Sequence, residues 1–133
     1  MSEKHGTIYW SELITHDVDA ALNYFEKIAG WTFTIVQMPE GPYHMASIDG
    51  NNFTGIMDIN LHPEMKDMQT FWLTSITVDD VDATVAQTRE LGGTIIREPF
   101  EVPGMARIAV IADPSGGIVG IVTPVENGVD TQS

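Results

Sequence analysis

Four histidines, three arginines, nineteen acidic residues and no cysteine are the side chains with which this chain of 133 residues can do chemistry. The absence of cysteine removes thiol nucleophiles, zinc–thiolate sites and iron–sulfur clusters, and it also removes any disulfide framework. His5, His16, His44 and His62 stand singly, with no i,i+4 pair to bring two imidazoles onto one helix face. They read as surface or turn histidines; the competing reading is a metal held by His44 with acidic neighbours. Serines and histidines form no visible nucleophile, base and orienter set. Asp113-Pro114-Ser115-Gly116-Gly117 is glycine-rich but lacks the lysine and following helix of a phosphate loop, so it reads as a hairpin turn. Arg107, after Pro103-Gly104-Met105 at the head of a strand candidate, can either pair with an anionic substrate group at a cavity rim or make a surface ion pair.

The formal net charge of −13 disfavours nucleic acid and anionic membrane surfaces, because affinity for a polyanion comes mainly from lysine and arginine displacing counterions. The polar start of the chain lacks the apolar core of a secretory signal, and no apolar run approaches the ~18 residues of a membrane span. A soluble, cytoplasmic protein of a single domain over residues 1–133 is expected.

Asp17-Val18-Asp19-Ala20 recurs as Asp80-Val81-Asp82-Ala83, an offset of 63, and five of the fourteen positions from Asp17 to Gly30 are identical at that offset. Ala46 and Ile48 fall on Ala109 and Ile111, and after a two-residue slip Gly55-Ile56 falls on Gly120-Ile121. Half the chain therefore resembles the other half. In each copy a strand (Thr7 to Ile14, Thr70 to Val78) leads to an aspartate suited to N-capping, Asp17 or Asp80. A helix then ends at Gly30 or at Gly92-Gly93. Three short strands follow in each copy: 31–37, 43–49 and 54–59, then 94–98, 106–112 and 118–123, with turns rich in Pro, Gly, Asn and Asp between them. The modules span about 6–60 and 69–124, with a connector over 61–68 and a loose tail over 127–133.

Paired βαβββ modules of this kind resemble the vicinal oxygen chelate superfamily of glyoxalase I, bleomycin-resistance proteins and extradiol dioxygenases. The most specific stretches are Trp10-Ser-Glu-Leu-Ile-Thr-His-Asp17 with Phe25 and Gly30-Trp31, and then Val78-Asp-Asp-Val-Asp82 through Leu91-Gly-Gly93 to Asp113-Pro-Ser-Gly-Gly117. The resemblance implies an α+β fold in which the modules form an eight-stranded, incompletely closed barrel around a cavity, with the helices outside. It implies, too, a divalent metal in the metal-dependent members, held from the first and last strands of each module. The matching positions here are Trp10, Gly55, Leu73 and Gly120, none of which coordinates a metal. No metal and no other cofactor is expected, and glyoxalase I or dioxygenase activity is not carried over.

Side chains alternate faces along a strand, so residues in step with those positions should share the inward face. These are Ile8, Trp10 and Glu12; Phe53 and Met57 flanking Gly55; Phe71, Leu73, Ser75 and Thr77; and Ile118 and Val122 flanking Gly120. The expected site is an apolar cavity with one carboxylate, in which the glycines leave room for a ligand. Glu12 should have its pKa raised by desolvation, suiting it to proton transfer or to a cationic group; the competing reading is an edge carboxylate in water or a structural acceptor. Tyr43 and Trp72 either line a cavity mouth or pack under a helix, and Trp31 reads as core packing. The expected function is metal-independent binding of a small molecule by a homodimer, with sequestration of a cationic drug as one form. The alternatives are a lyase, isomerase or epimerase with Glu12 as general base, and a regulatory or structural homodimer.

Overall fold

A computed structural model describes residues 4–125 of the chain; the tail expected over 127–133 lies outside the described residues. The fold is α+β and has the order strand, helix, three strands, twice over. The first set is β1 (Ile8–Thr15), α1 (Val18–Ala29), β2 (Thr32–Met38), β3 (Gly41–Ile48) and β4 (Asn51–Asp58). The second is β5 (Phe71–Thr77), α2 (Val81–Glu90), β6 (Thr94–Val102), β7 (Ala106–Ala112) and β8 (Ile118–Pro124). The described residues divide into two compact units, residues 10–73 and residues 4–9 with 74–125.

Within residues 10–73, β1 pairs parallel with β4, while β4 with β3 and β3 with β2 pair antiparallel. In the other unit β5 pairs parallel with β8, and β8 with β7 and β7 with β6 pair antiparallel. The duplication is kept in the register itself. Glu12 lies opposite Gly55 and Ser75 lies opposite Gly120, so equivalent residues meet equivalent glycines. Ala46 and Ala109, matched by the repeat, are both fully buried.

Both aspartates cap as expected: Asp17 accepts from the backbone N–H of Ala20 at 3.0 Å and Asp80 from that of Ala83 at 3.1 Å. Gly30 closes α1 with φ 74°, a left-handed conformation that a β-carbon disfavours. The two helices differ in anchorage. Val81, Val85 and Thr88 of α2 are buried, the two valines in a cluster with Ala109, Ile111 and Ile121, whereas no residue of α1 is buried.

Strand β6 runs four residues past its expected end, through Pro99. It pairs on one side with β7, and its register shifts on either side of Arg97, so an irregular strand accommodates the missing N–H of proline. The connector is more ordered than expected: 3-10 turns occupy Ile59–Leu61 and Pro63–Met65, and Met65 and His62 are buried.

Candidate functional site

The first strand positions Trp10 and Glu12 on one face, as alternation requires, with Gly55 beside Glu12 on β4. Gly55 has no side chain, and the phenol of Tyr43 occupies the space where its β-carbon would stand. Tyr43 reaches there from β3 and is only 4% exposed. Its hydroxyl accepts a hydrogen bond from Trp10 Nε1–H at 2.9 Å and donates one to Glu12 Oε1 at 2.7 Å. Burial pushes the half-buried Glu12 carboxyl above the usual carboxylate range, and the Tyr43 hydrogen bond opposes part of that rise. Burial, together with the Glu12 charge, also raises the Tyr43 phenol.

The room expected over the glycines is therefore filled from within the chain. Tyr43 fills it over Gly55, and in the other unit Ser75 Oγ occupies the place of a side chain on Gly120. Sequence reading left Tyr43 undecided between a cavity mouth and helix packing. The void over a glycine, open to a large residue on the neighbouring strand, was the available signal.

Other expected site residues are placed differently. Phe53 lies where the β3–β4 register slips, between the pairs Ala46–Thr54 and Ser47–Asn52. Its ring meets Trp31 edge-on at 5.0 Å, and Trp31 stacks on Phe25 of α1 at 4.7 Å. Phe53 thus belongs to the helix-side aromatic group, because the extra residue of a bulge breaks strict alternation. Trp72 joins the same group, with its ring 5.8 Å from Phe25, while its neighbours Phe71 and Leu73 are half-buried and buried. Met57 is buried, with Sδ facing His62 Nε2. His62 is therefore not a surface histidine, and His5 is held by accepting the Asp79 N–H at Nδ1, 2.9 Å.

Arg107 donates two hydrogen bonds to Asp82 of α2, at 2.8 and 2.9 Å, which is the ion-pair reading rather than the anion site. The arginine on the opposite face of that unit is Arg97, which shares a row with Val110, Gly120 and Ser75 and lies 3.5 Å from the centroid of the Phe100 ring. The bulge between Ile95 and Arg97 turns Arg97 to that face, a turn that leaves no mark in the sequence pattern.

A separate cleft of about 410 Å³ opens within residues 10–73 at the start of α1, lined by His16, Asp19, His44, Asp58 and Leu61 among others. Neither Trp10 nor Glu12 lines it. Imidazole Nδ1 of His44 is buried without a hydrogen-bond partner.

A divalent metal does not fit the expected positions. Indole, leucine and glycine offer no ligand atom there, and one oxygen of the nearby Glu12 already accepts from Tyr43. Among the described residues no group of three or more His, Asp or Glu is placed to hold a metal ion.

Two βαβββ sets in one repeated register, with a polar group between first and last strand, define a class of protein. The chain belongs to the Glyoxalase/Bleomycin resistance protein/Dioxygenase superfamily, whose profile matches residues 7–119. It is 33% identical over 120 residues to CFP32 of Mycobacterium tuberculosis, whose name assigns it provisionally to the glyoxylases; the match covers 90% of this chain and 44% of CFP32. It is 30% identical over 127 residues to the anthracycline biosynthesis protein DnrV of Streptomyces peucetius, covering 87% of this chain and 46% of DnrV. The chain thus spans less than half the length of these relatives. Among solved structures, the fold is similar to a methylmalonyl-CoA epimerase bound to methylmalonyl-CoA and NH4+, with TM-score 0.62, 18% identity, and coverage of 92% of this chain and 97% of that one. The Mycobacterium tuberculosis methylmalonyl-CoA epimerase is similar at TM-score 0.59 and 14% identity, covering 98% and 97%.

Proposed function

We propose that this chain binds a small organic molecule without a divalent metal, and that Glu12 is the polar group the ligand meets. One observation carries this reading: at the metal-ligand end of the first module stands a hydrogen-bonded set, Trp10 to Tyr43 to Glu12, built around a desolvated carboxyl. A carboxyl whose solvation is already lost can be offered to a ligand at little further cost. Proton transfer with Glu12 as base, in a lyase, isomerase or epimerase, is the second reading; the raised carboxyl favours it, since a base working near neutral pH needs such a shift. The protein is proposed to act in the cytoplasm as a homodimer. In support, no helix among the described residues is long and apolar enough to cross a membrane. A run of ring contacts joins Tyr24, Phe25, Trp31, Phe53 and Trp72, of which Tyr24, Phe53 and Trp72 are exposed, and this gives a second copy a surface to cover.

Native mass spectrometry with elemental analysis tests the metal. The expected result is no stoichiometric divalent ion and no change on EDTA treatment; one ion per chain overturns the reading. The ligand class is tested with an anthracycline and with methylmalonyl-CoA, chosen from the names of the relatives. Glu12→Gln should weaken a cationic ligand about tenfold or more, since hydrogen bonds to charged groups contribute roughly 1.5–3 kcal/mol. It should spare a neutral ligand and abolish any turnover. A ligand bound equally by wild type and variant, with neither its ring shifts nor its chemistry reporting on Glu12, does not use this site.

A further inference from the structure

The duplication gives each helix start a cleft, and the two clefts differ in charge. One, of about 410 Å³, opens at the start of α1; the other, of about 260 Å³, opens at the start of α2. His16, Asp17 and Val18 line the first, and their counterparts at the offset of 63, Asp79, Asp80 and Val81, line the second. Asp58 and Thr123 correspond as well, each three residues beyond the matched Gly55 or Gly120. In the second cleft Arg107 of β7 supplies a guanidinium, which donates to Asp82 in the first turn of α2 at 2.8 and 2.9 Å. The first cleft keeps the acid and lacks the cation. Asp19 is the counterpart of Asp82, whereas the place of Arg107 falls to His44 by the sequence repeat. It falls to Pro42 when the strands are counted from Met45 and Val110, which pair with the matched glycines. Neither residue carries a guanidinium, and Asp58 in place of Thr123 adds a carboxylate.

We propose that the cleft at the start of α1 binds a small organic cation bearing a guanidinium group, in the place that its twin fills with Arg107. Asp19 has no hydrogen bond or ion pair among the described residues. Asp58 is half-buried and accepts the Asn60 N–H at one oxygen, Oδ1, at 2.9 Å. Asp17 adds a third carboxylate, and no lysine or arginine lines the cleft to neutralise them. His16 is engaged elsewhere, with Nε2 at 2.6 Å from the Met68 carbonyl. The positive end of α1 opposes a bound cation, but the same end of α2 carries Arg107, so that opposition does not exclude one. A guanidinium matches carboxylates through its fork of N–H donors, as Arg107 does with both oxygens of Asp82. The volume is that of a small-molecule site, and the charge of −13 draws cations toward it. This site is separate from Glu12, which lines neither cleft.

The test is isothermal calorimetry of the chain with propylguanidinium at low salt, with thermal melting as a check on folding. One propylguanidinium per chain is expected, bound more weakly as salt is raised. Asp58→Asn keeps an oxygen for the Asn60 N–H and removes the charge, so it weakens binding about tenfold, as for a lost hydrogen bond between charged groups. Asp19→Asn, at an exposed carboxylate, weakens it about two- to fivefold. Pro42→Arg brings the side chain of the twin into this cleft and abolishes binding. No binding by the wild type overturns the proposal, and so do equal affinities in the wild type and both acid variants. A folded Pro42→Arg that binds as the wild type does overturns it too. Binding lost in Glu12→Gln but kept in both acid variants places the cation at Glu12 and overturns the cleft as its site. N-acetylarginine methylamide presents the same charge and group on a peptide. Its binding should be no tighter than that of propylguanidinium; tighter binding assigns the cleft to an arginine of a protein partner and overturns the small-molecule reading.

Discussion

A carboxyl raised by burial leaves a signature in stability. The folded state of a group like Glu12 binds its proton more tightly than the unfolded chain does, so between the ordinary glutamate value and the raised one the folded protein holds more protons. Stability from this group is therefore greatest at low pH and falls as pH rises through that window. Glu12→Gln, which keeps an acceptor for Tyr43 and removes the charge, should melt with the wild type near pH 4 and a few degrees above it near pH 8. A melting difference that does not change with pH argues against a desolvated carboxyl. Asp113 runs the other way: the Ser115 hydroxyl and backbone donors of the Asp-Pro turn hold its carboxyl low, so its contribution is present above the ordinary aspartate range and is lost on acidification. At this scale the sequence was partly readable. Trp10 and Glu12 follow from alternation on one strand, but the partner that gives them meaning lies 31 residues beyond Glu12 and is brought in by a glycine's missing side chain.

Elements repeat more faithfully than the residues they carry. Turn residues, capping aspartates and the 63-residue repeat made the order of strands and helices legible, because each rests on local backbone chemistry. Bulges were not legible. One inserted residue leaves no mark in composition, yet it turned Phe53 toward α1 and Arg97 away from the helix side of its sheet. The helices differ in a way that single substitutions measure. Leu22 and Val85 are counterparts in the repeat, half-buried in α1 and buried in α2. Val85→Ala should cost about 2 kcal/mol, from roughly 0.8 kcal/mol per buried methylene plus a cavity left behind. Leu22→Ala should cost less although it removes more atoms, as read by urea unfolding. The reverse order means that α1 is docked as firmly as α2.

The whole chain carries a charge of −13 and spans less than half the length of CFP32 and DnrV. Like charges oppose association, so the proposed second copy would have to meet this one through an uncharged surface; on the α1 side, Ile28 of the helix is 60% exposed and Trp72 of the aromatic group 44%. Light scattering behind size exclusion should give twice the chain mass for the wild type and a monomer for Trp72→Glu combined with Ile28→Glu. A wild-type monomer removes the homodimer, and a double variant that stays dimeric moves the contact elsewhere. Family membership was readable at this scale from the paired modules alone, while metal positions filled by tryptophan, leucine and glycine marked where the chain departs from its metal-dependent relatives. The matching registers, Glu12 opposite Gly55 and Ser75 opposite Gly120, have a consequence for counting. One copy of the duplicated scaffold holds the carboxyl and its phenol, whereas its twin holds a serine, with Ala106 where a matching tyrosine would stand. The duplication is thus one of frame and not of chemistry, and a chain built twice carries this acid once.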